Sequence, residues 1–186
     1  MGTNNRTLIG SAVVPIRLVF LMWLVFSVEF LFGFPLSAFG IHPRTLLGLI
    51  GIATAPLLHG GIVHIISNTV PLLFLGVVLF YSYRRIANKV FLNCYFFTNL
   101  LVWIFARPNN HIGASGLVYG LASFLIFFGF LRRDFKSLFI SVLIFIFYGS
   151  IFYGVLPVDA RISWESHLAG AIVGFISAQQ FKKSAL

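Results

Sequence analysis

Only four of the 186 residues are acidic, namely Glu29, Asp134, Asp159 and Glu165, and charged residues of both signs make up 9% of the chain. A soluble domain carries roughly 25%. A chain with so little polar surface cannot cover itself in water, and lipid is the solvent its composition requires. Cysteine is nearly absent too. The single Cys94 excludes an intrachain disulfide and any multi-cysteine metal site. No pair of aspartates falls within an apolar run, which removes intramembrane aspartyl chemistry. There is also no His-Glu-x-x-His for a zinc protease, because His59 and His64 are five apart with no acid between them.

What is present is grease and a few basic clusters. Hydrophobic residues reach 59%, with 23 phenylalanines, and the formal net charge is +9. The basic residues sit in short groups between apolar runs. That is the pattern of membrane topology and argues against nucleic acid as a partner.

The apolar runs are Leu18–Phe34, Ile62–Tyr83, Val90–Ala106, Ser115–Leu131, Ser137–Leu156 and His167–Phe181. A straight crossing needs about 20 residues, so the shorter runs are marginal. A further stretch from Thr45 to Leu58 contains Gly48, Gly51 and Pro56 and is too short to cross. It reads as an interfacial or re-entrant part of a long first outer loop. The predicted fold class is an all-α, polytopic six-transmembrane-helix bundle, a single domain over residues 1–186. With six spans, ten basic residues fall on one side (Arg6, Arg17, Arg84, Arg85, Lys89, Arg132, Arg133, Lys136, Lys182 and Lys183) and three on the other (Arg44, Arg107 and Arg161). This bias puts both termini in the cytoplasm, and the short loops suggest a bacterial inner membrane. The first run could mimic a signal peptide but is long for one.

All five histidines, His42, His59, His64, His111 and His167, fall toward the outer side. Polar groups within a membrane are costly and raise a functional hypothesis. Counting back from the basic clusters at 1.5 Å per residue, Ser115 lies about 25 Å above Arg132, Asn68 about 24 Å above Arg84 and His167 about 22 Å above Lys182. Three polar side chains on three spans thus reach nearly one level. Gly116 and Gly120 beside Ser115, and Gly170 and Gly174 on the face of His167, form small-x-x-x-small pairs that let helices approach closely. If those faces meet, Ser115 and His167 come within reach. Glu29 reads as a mid-span structural hydrogen-bonder and His111 as a loop hydrogen-bonder. Trp23, Trp103 and Trp164 read as interfacial belt residues.

Three segments then carry a resemblance: "HGGIVHIISN" from His59, "GASGLVYG" from Gly113 and "HLAGAIVG" from His167, on the second, fourth and sixth spans. In that order they resemble the rhomboid family of intramembrane serine proteases, with coverage from about Ile41 to Gly174. The long loop "IHPRTLLGLIGIATAPLLHG" resembles bacterial members. The resemblance implies Ser115 as nucleophile and His167 as its general base. It implies His64 and Asn68 as oxyanion donors with the Ser115 N–H, and Tyr119 packed on the His167 ring. His59 corresponds to a structural loop histidine.

No metal or cofactor is implied, and the expected partners are transmembrane protein substrates and the lipid bilayer. No carboxylate offers itself as a third member, so a Ser–His dyad is expected. A water-filled outer cavity capped by a mobile segment around 150–164 should supply the second reactant. Two alternatives stay open: an inactive rhomboid-like protein that binds transmembrane helices without cutting, and a small transporter whose polar path would continue to the cytoplasmic side.

Overall fold

Long apolar runs in lipid must satisfy every backbone group internally, and helices do so. The computed structural model describes residues 7–157, 159 and 162–184, and these are helical throughout apart from turns and one isolated bridge. Arg6, Arg161 and part of the expected 150–164 cap lie outside the described residues. The elements are α1 (Leu8–Phe32), α2 (Gly48–Thr54), α3 (Ile62–Ser82), α4 (Arg84–Phe105), α5 (Ser115–Arg132), α6 (Phe135–Tyr148) and α7 (Trp164–Phe181). Of these, α1, α3 and α5 are long and apolar enough by themselves to cross a membrane. The chain is a helical membrane bundle.

Several boundaries differ from the apolar runs, for local reasons. Helix α1 begins at Leu8 because the Thr7 hydroxyl accepts from the Gly10 N–H at 3.1 Å. It ends at Gly33, whose φ of 69° closes the helix in the left-handed region. Glu29 therefore sits in the last turn of α1 and not at mid-span. It accepts from the Ser37 N–H of the loop that follows at 3.0 Å. Helix α4 takes in Arg84, Arg85 and Lys89, which lie before the apolar run that starts at Val90. The run after Ser137 stops as an α-helix at Tyr148 and continues as 3-10 turns over Gly149–Val155.

Helix α5 is the central rod, buried along most of its length. Its contact with α7 is backbone on backbone. A Cβ added at Gly170 would strike the Gly116 carbonyl, and one added at Gly174 would strike the Gly120 carbonyl. Hydroxyls complete the contact. Ser123 donates to the Ala171 carbonyl at 2.7 Å, and on the other side of α5 Ser141 donates to the Ile126 carbonyl. Helix α1 lies against α3, where Gly76 makes room for Pro15.

The basic turns gather at one end. Lys136 Nζ reaches the Ser82 carbonyl at 3.4 Å and Arg132 reaches that of Ser184 at 2.6 Å. Asp134 caps α6 through the Ser137 N–H at 3.0 Å, and Arg132 Nε meets its other oxygen at 2.6 Å.

At the opposite end, the long first loop is moored to α4 by a row of side chains at four-residue spacing. Tyr95 donates to the Ala53 carbonyl at 2.6 Å, Asn99 to Ile52 at 3.0 Å and Trp103 to Thr45 at 2.9 Å. Trp103 thus binds the loop, and Trp23 binds Thr69 across α1 and α3 at 3.1 Å. Neither indole is left to the lipid interface alone, as a belt reading would have it.

Candidate active site

The Gly-rich face that brings α5 against α7 also sets the register of what lies above it. Ser115 opens α5 and His167 lies in the first turn of α7, and the hydroxyl and imidazole Nε2 stand 2.9 Å apart. The other ring nitrogen, Nδ1, is 2.9 Å from the Gly154 carbonyl. A carbonyl only accepts, so Nδ1 carries the proton and Nε2 presents a lone pair to the Ser115 hydroxyl. A main-chain oxygen therefore does for this histidine what a carboxylate does in a triad, fixing its tautomer and orientation. The Tyr119 ring stacks on the imidazole with centroids 4.0 Å apart and planes 4° from parallel. Gly154 must be glycine to approach so closely, because a Cβ there would run into the Tyr119 hydroxyl.

Ser115, Tyr119 and His167 line a cavity of about 550 Å³ that also takes in His64, Ser67, Asn68, Pro71 and His111. The three polar side chains estimated to share one depth thus share one cavity wall. Asn68 is buried and gives one amide hydrogen to the His64 carbonyl at 2.8 Å, leaving its second available. Pro71 has no N–H, so the Ser67 carbonyl four residues back lacks its helical donor. The His64 ring lies directly against Gly113, where a Cβ would fall 2.6 Å from Nε2. Gly113 also has a φ of 108°, a conformation that glycine adopts without strain. The first N–H groups of α5 have no intrahelical acceptor and lie at the positive end of its dipole, where negative charge is favoured.

A second network locks the loop before α5 to the start of α7. His111 Nε2 is 2.9 Å from the Arg107 carbonyl and must donate to it. Nδ1 then accepts from the Ser163 hydroxyl at 2.6 Å, and Ser166 lies 2.6 Å beyond. Arg107 donates to the Ile162 carbonyl at 2.7 Å and its Nε lies 2.8 Å from Glu165 Oε1, an ion pair without directed hydrogen-bond geometry. Glu165 faces Arg107 and not His167. The loop is pinned to the long first loop as well, by paired N–H···O bonds of 2.9 Å between Ile41 and His111.

Burial pushes the His111 pKa below its ordinary 6.5, outweighing the Arg107 carbonyl bond that raises it. A depressed value means the fold prefers the neutral ring. Stability is full above about pH 6.5, falls as the unfolded chain alone takes up the proton, and levels off below the folded value. The melting temperature should drop between pH 8 and pH 5, and by less in His111→Gln. An equal drop in both would remove His111 from the effect.

Sequence reasoning missed Gly154, because a backbone acceptor leaves no mark on residue type. It also left Arg107, Ser163 and Ser166 unassigned. The pairing of Arg107 with Glu165 had one available signal, as two of the few charges away from the basic clusters, and of opposite sign.

Comparison with known proteins points the same way. A family model described as the Rhomboid domain matches residues 47–183. An uncharacterized protein of Mycobacterium tuberculosis is 32% identical over 190 residues, covering 93% of this chain and 75% of its own. One from Mycobacterium leprae is 33% identical over 196 residues, covering 95% and 74%. RHOMBOID-like protein 4 of Arabidopsis thaliana is 32% identical over 124 residues, which are 64% of this chain and 30% of the plant protein.

Proposed function

Because the chain belongs to the rhomboid family, we propose that it is an intramembrane serine endopeptidase that cleaves transmembrane substrates near the outer face. The observation that carries the reading is the 2.9 Å contact between Ser115 Oγ and the unprotonated Nε2 of His167, inside a cavity at the end of the bundle away from the basic turns. The reading places that cavity on the outer side of a bacterial inner membrane, with both termini cytoplasmic.

The reaction follows from the geometry. A serine hydroxyl is a weak nucleophile until a base takes its proton. His167 Nε2 takes the Ser115 proton as Oγ bonds to the scissile carbonyl carbon. The ring becomes an imidazolium, steadied by the Gly154 carbonyl at Nδ1 and by the face of Tyr119. The carbonyl oxygen, now negative, is held by the N–H groups opening α5 and by His64 and Asn68. His167 then protonates the leaving amine as the C–N bond breaks, and water from the cavity hydrolyses the acyl-enzyme by the same steps in reverse. The scissile segment must unwind, since an intact helix occupies its carbonyls.

Losing one oxyanion donor typically costs about 10²–10³ in rate. Asn68→Ala should lower kcat by that factor with little change in KM, measured on a single-pass substrate in detergent or vesicles. An unchanged rate would take Asn68 out of the site.

The family also includes proteins that bind helices without cutting. A serine-directed fluorophosphonate should label the wild type and not Ser115→Ala, whereas a protein that only binds would label in neither. The transporter alternative needs a polar path to the cytoplasmic end. Ser123 is engaged by the Ala171 carbonyl and Ser177 by Asn93 at 3.3 Å, which supports a closed lower half.

A further inference from the structure

Glu29 and His59 take no part in the chemistry above, yet each buries a polar atom that finds no partner among the described residues, Oε2 of the carboxyl and Nε2 of the ring. Both residues line one cavity of about 820 Å³ at the outer ends of α1 and α3, adjoining the Ser115 cavity at Gly60.

The two orphans have the same polarity. The first oxygen of Glu29 is occupied by the Ser37 N–H at 3.0 Å, and the second is an acceptor with nothing to accept. His59 is 2% exposed, and its Nδ1 faces the Leu57 carbonyl at 3.4 Å. That nitrogen therefore carries the proton, and Nε2 is a bare lone pair. Burial, reinforced by the neighbouring His64, lowers the His59 pKa from 6.5 to about 4, so the ring is neutral near pH 7. Burying an acceptor unpaired is costly. Two of them, in residues that line one cavity, call for a group with more than one N–H to give.

The rest of the wall says what else that group must be. Trp23, Phe26 and Phe30 line the same space, with Trp23 edge-on to Phe26 and Phe26 stacked with Phe30, each pair 6.2 Å apart. Aromatic faces beside a carboxylate attract a cation and disfavour an anion. A primary ammonium satisfies both demands, and a quaternary ammonium, which has no N–H, satisfies one. The apolar side chains that line the cavity also reach the outside of the bundle, with Phe30 77%, Leu31 71% and Ile62 51% exposed. In a membrane protein that surface belongs to acyl chains.

We propose that this cavity holds the primary ammonium of an aminophospholipid headgroup, with Glu29 and His59 as its acceptors and the acyl chains on the apolar surface beside Phe30 and Ile62.

The test uses the purified full chain equilibrated in bilayer discs of equal parts phosphatidylethanolamine, phosphatidylcholine and phosphatidylglycerol, with retained lipids counted by native mass spectrometry. Phosphatidylethanolamine should be retained roughly tenfold over phosphatidylcholine, the factor that a charge-assisted hydrogen bond supplies. That preference should disappear in Glu29→Gln and in His59→Phe. Equal retention of the two lipids by the wild type overturns the proposal without any variant having to fold. An undiminished preference in folded Glu29→Gln overturns it as well. Displacement of the lipid by millimolar ethylammonium would make this a site for free amines and would defeat the lipid assignment. None of these readouts depends on proteolysis, so the site stands or falls apart from the proposed activity.

Discussion

Ser115→Ala, His167→Ala and the double variant are each expected to reduce turnover of a single-pass substrate by the same factor, on the order of 10⁶. The expectation of equality matters more than the size. In the proposed mechanism Ser115 Oγ and His167 Nε2, 2.9 Å apart, act as one unit, since a nucleophile without its base and a base without its nucleophile are equally idle. Simple additivity would instead make the double variant far slower than either single one. Steady-state rates on one reporter, with substrate binding measured separately, decide the matter. Substrate binding should survive in all three, because the cavity wall outside the dyad is untouched. A Ser115→Ala protein that still cleaves, or a double variant much worse than the singles, would mean that the chemistry resides elsewhere.

The second large effect is expected at Gly170, which holds no functional atom. The Cβ of Gly170→Ala would strike the carbonyl of Gly116 and lie 3.1 Å from the Gly120 N–H. Both obstacles are backbone on a buried helix, so neither can swing aside as a side chain would. Helices α5 and α7 must separate instead. Overpacking of this kind typically costs about 1–3 kcal/mol, which should appear as a lowered melting temperature. The same separation stretches the Ser115–His167 contact, and misplacing reacting groups by about 1 Å can cost on the order of 10²-fold in rate. Activity should therefore fall at temperatures where the variant is still folded. If Gly170→Ala melts early but keeps its rate below the transition, the glycines hold the bundle together without setting the site. Thermal unfolding and kcat on one preparation separate the two outcomes.

Much of the fold was legible because lipid leaves few solutions. Apolar runs between basic turns gave an all-α bundle, and the matched Gly pairs marked the faces that α5 and α7 press together. Depth counting brought Ser115, Asn68 and His167 to one level, and all three line one cavity. What stayed illegible depended on atoms that residue identity does not report. The start of α1 at Leu8 rests on one hydroxyl of Thr7, inside a stretch that hydropathy does not distinguish. Glu29 looked central because the apolar run around it, Leu18–Phe34, starts ten residues after its helix does and ends two residues beyond it. The indoles of Trp23 and Trp103 have the spacing of interfacial residues, but their partners are a threonine hydroxyl and a loop carbonyl contributed by distant segments. Arg107 and Glu165 are 58 positions apart, and only the folded loop shows that they pair.

The main-chain oxygen behind His167 has a consequence for genetics. Every amino acid brings the same carbonyl, so no codon change at position 154 deletes the atom that steers the imidazole. A saturation screen would score that position by bulk alone and file it with packing defects, blind to the share in proton transfer that the proposed mechanism gives it. Exchanging the amide between residues 154 and 155 for an ester, which weakens the acceptor while sparing every side chain, is the kind of edit able to expose it.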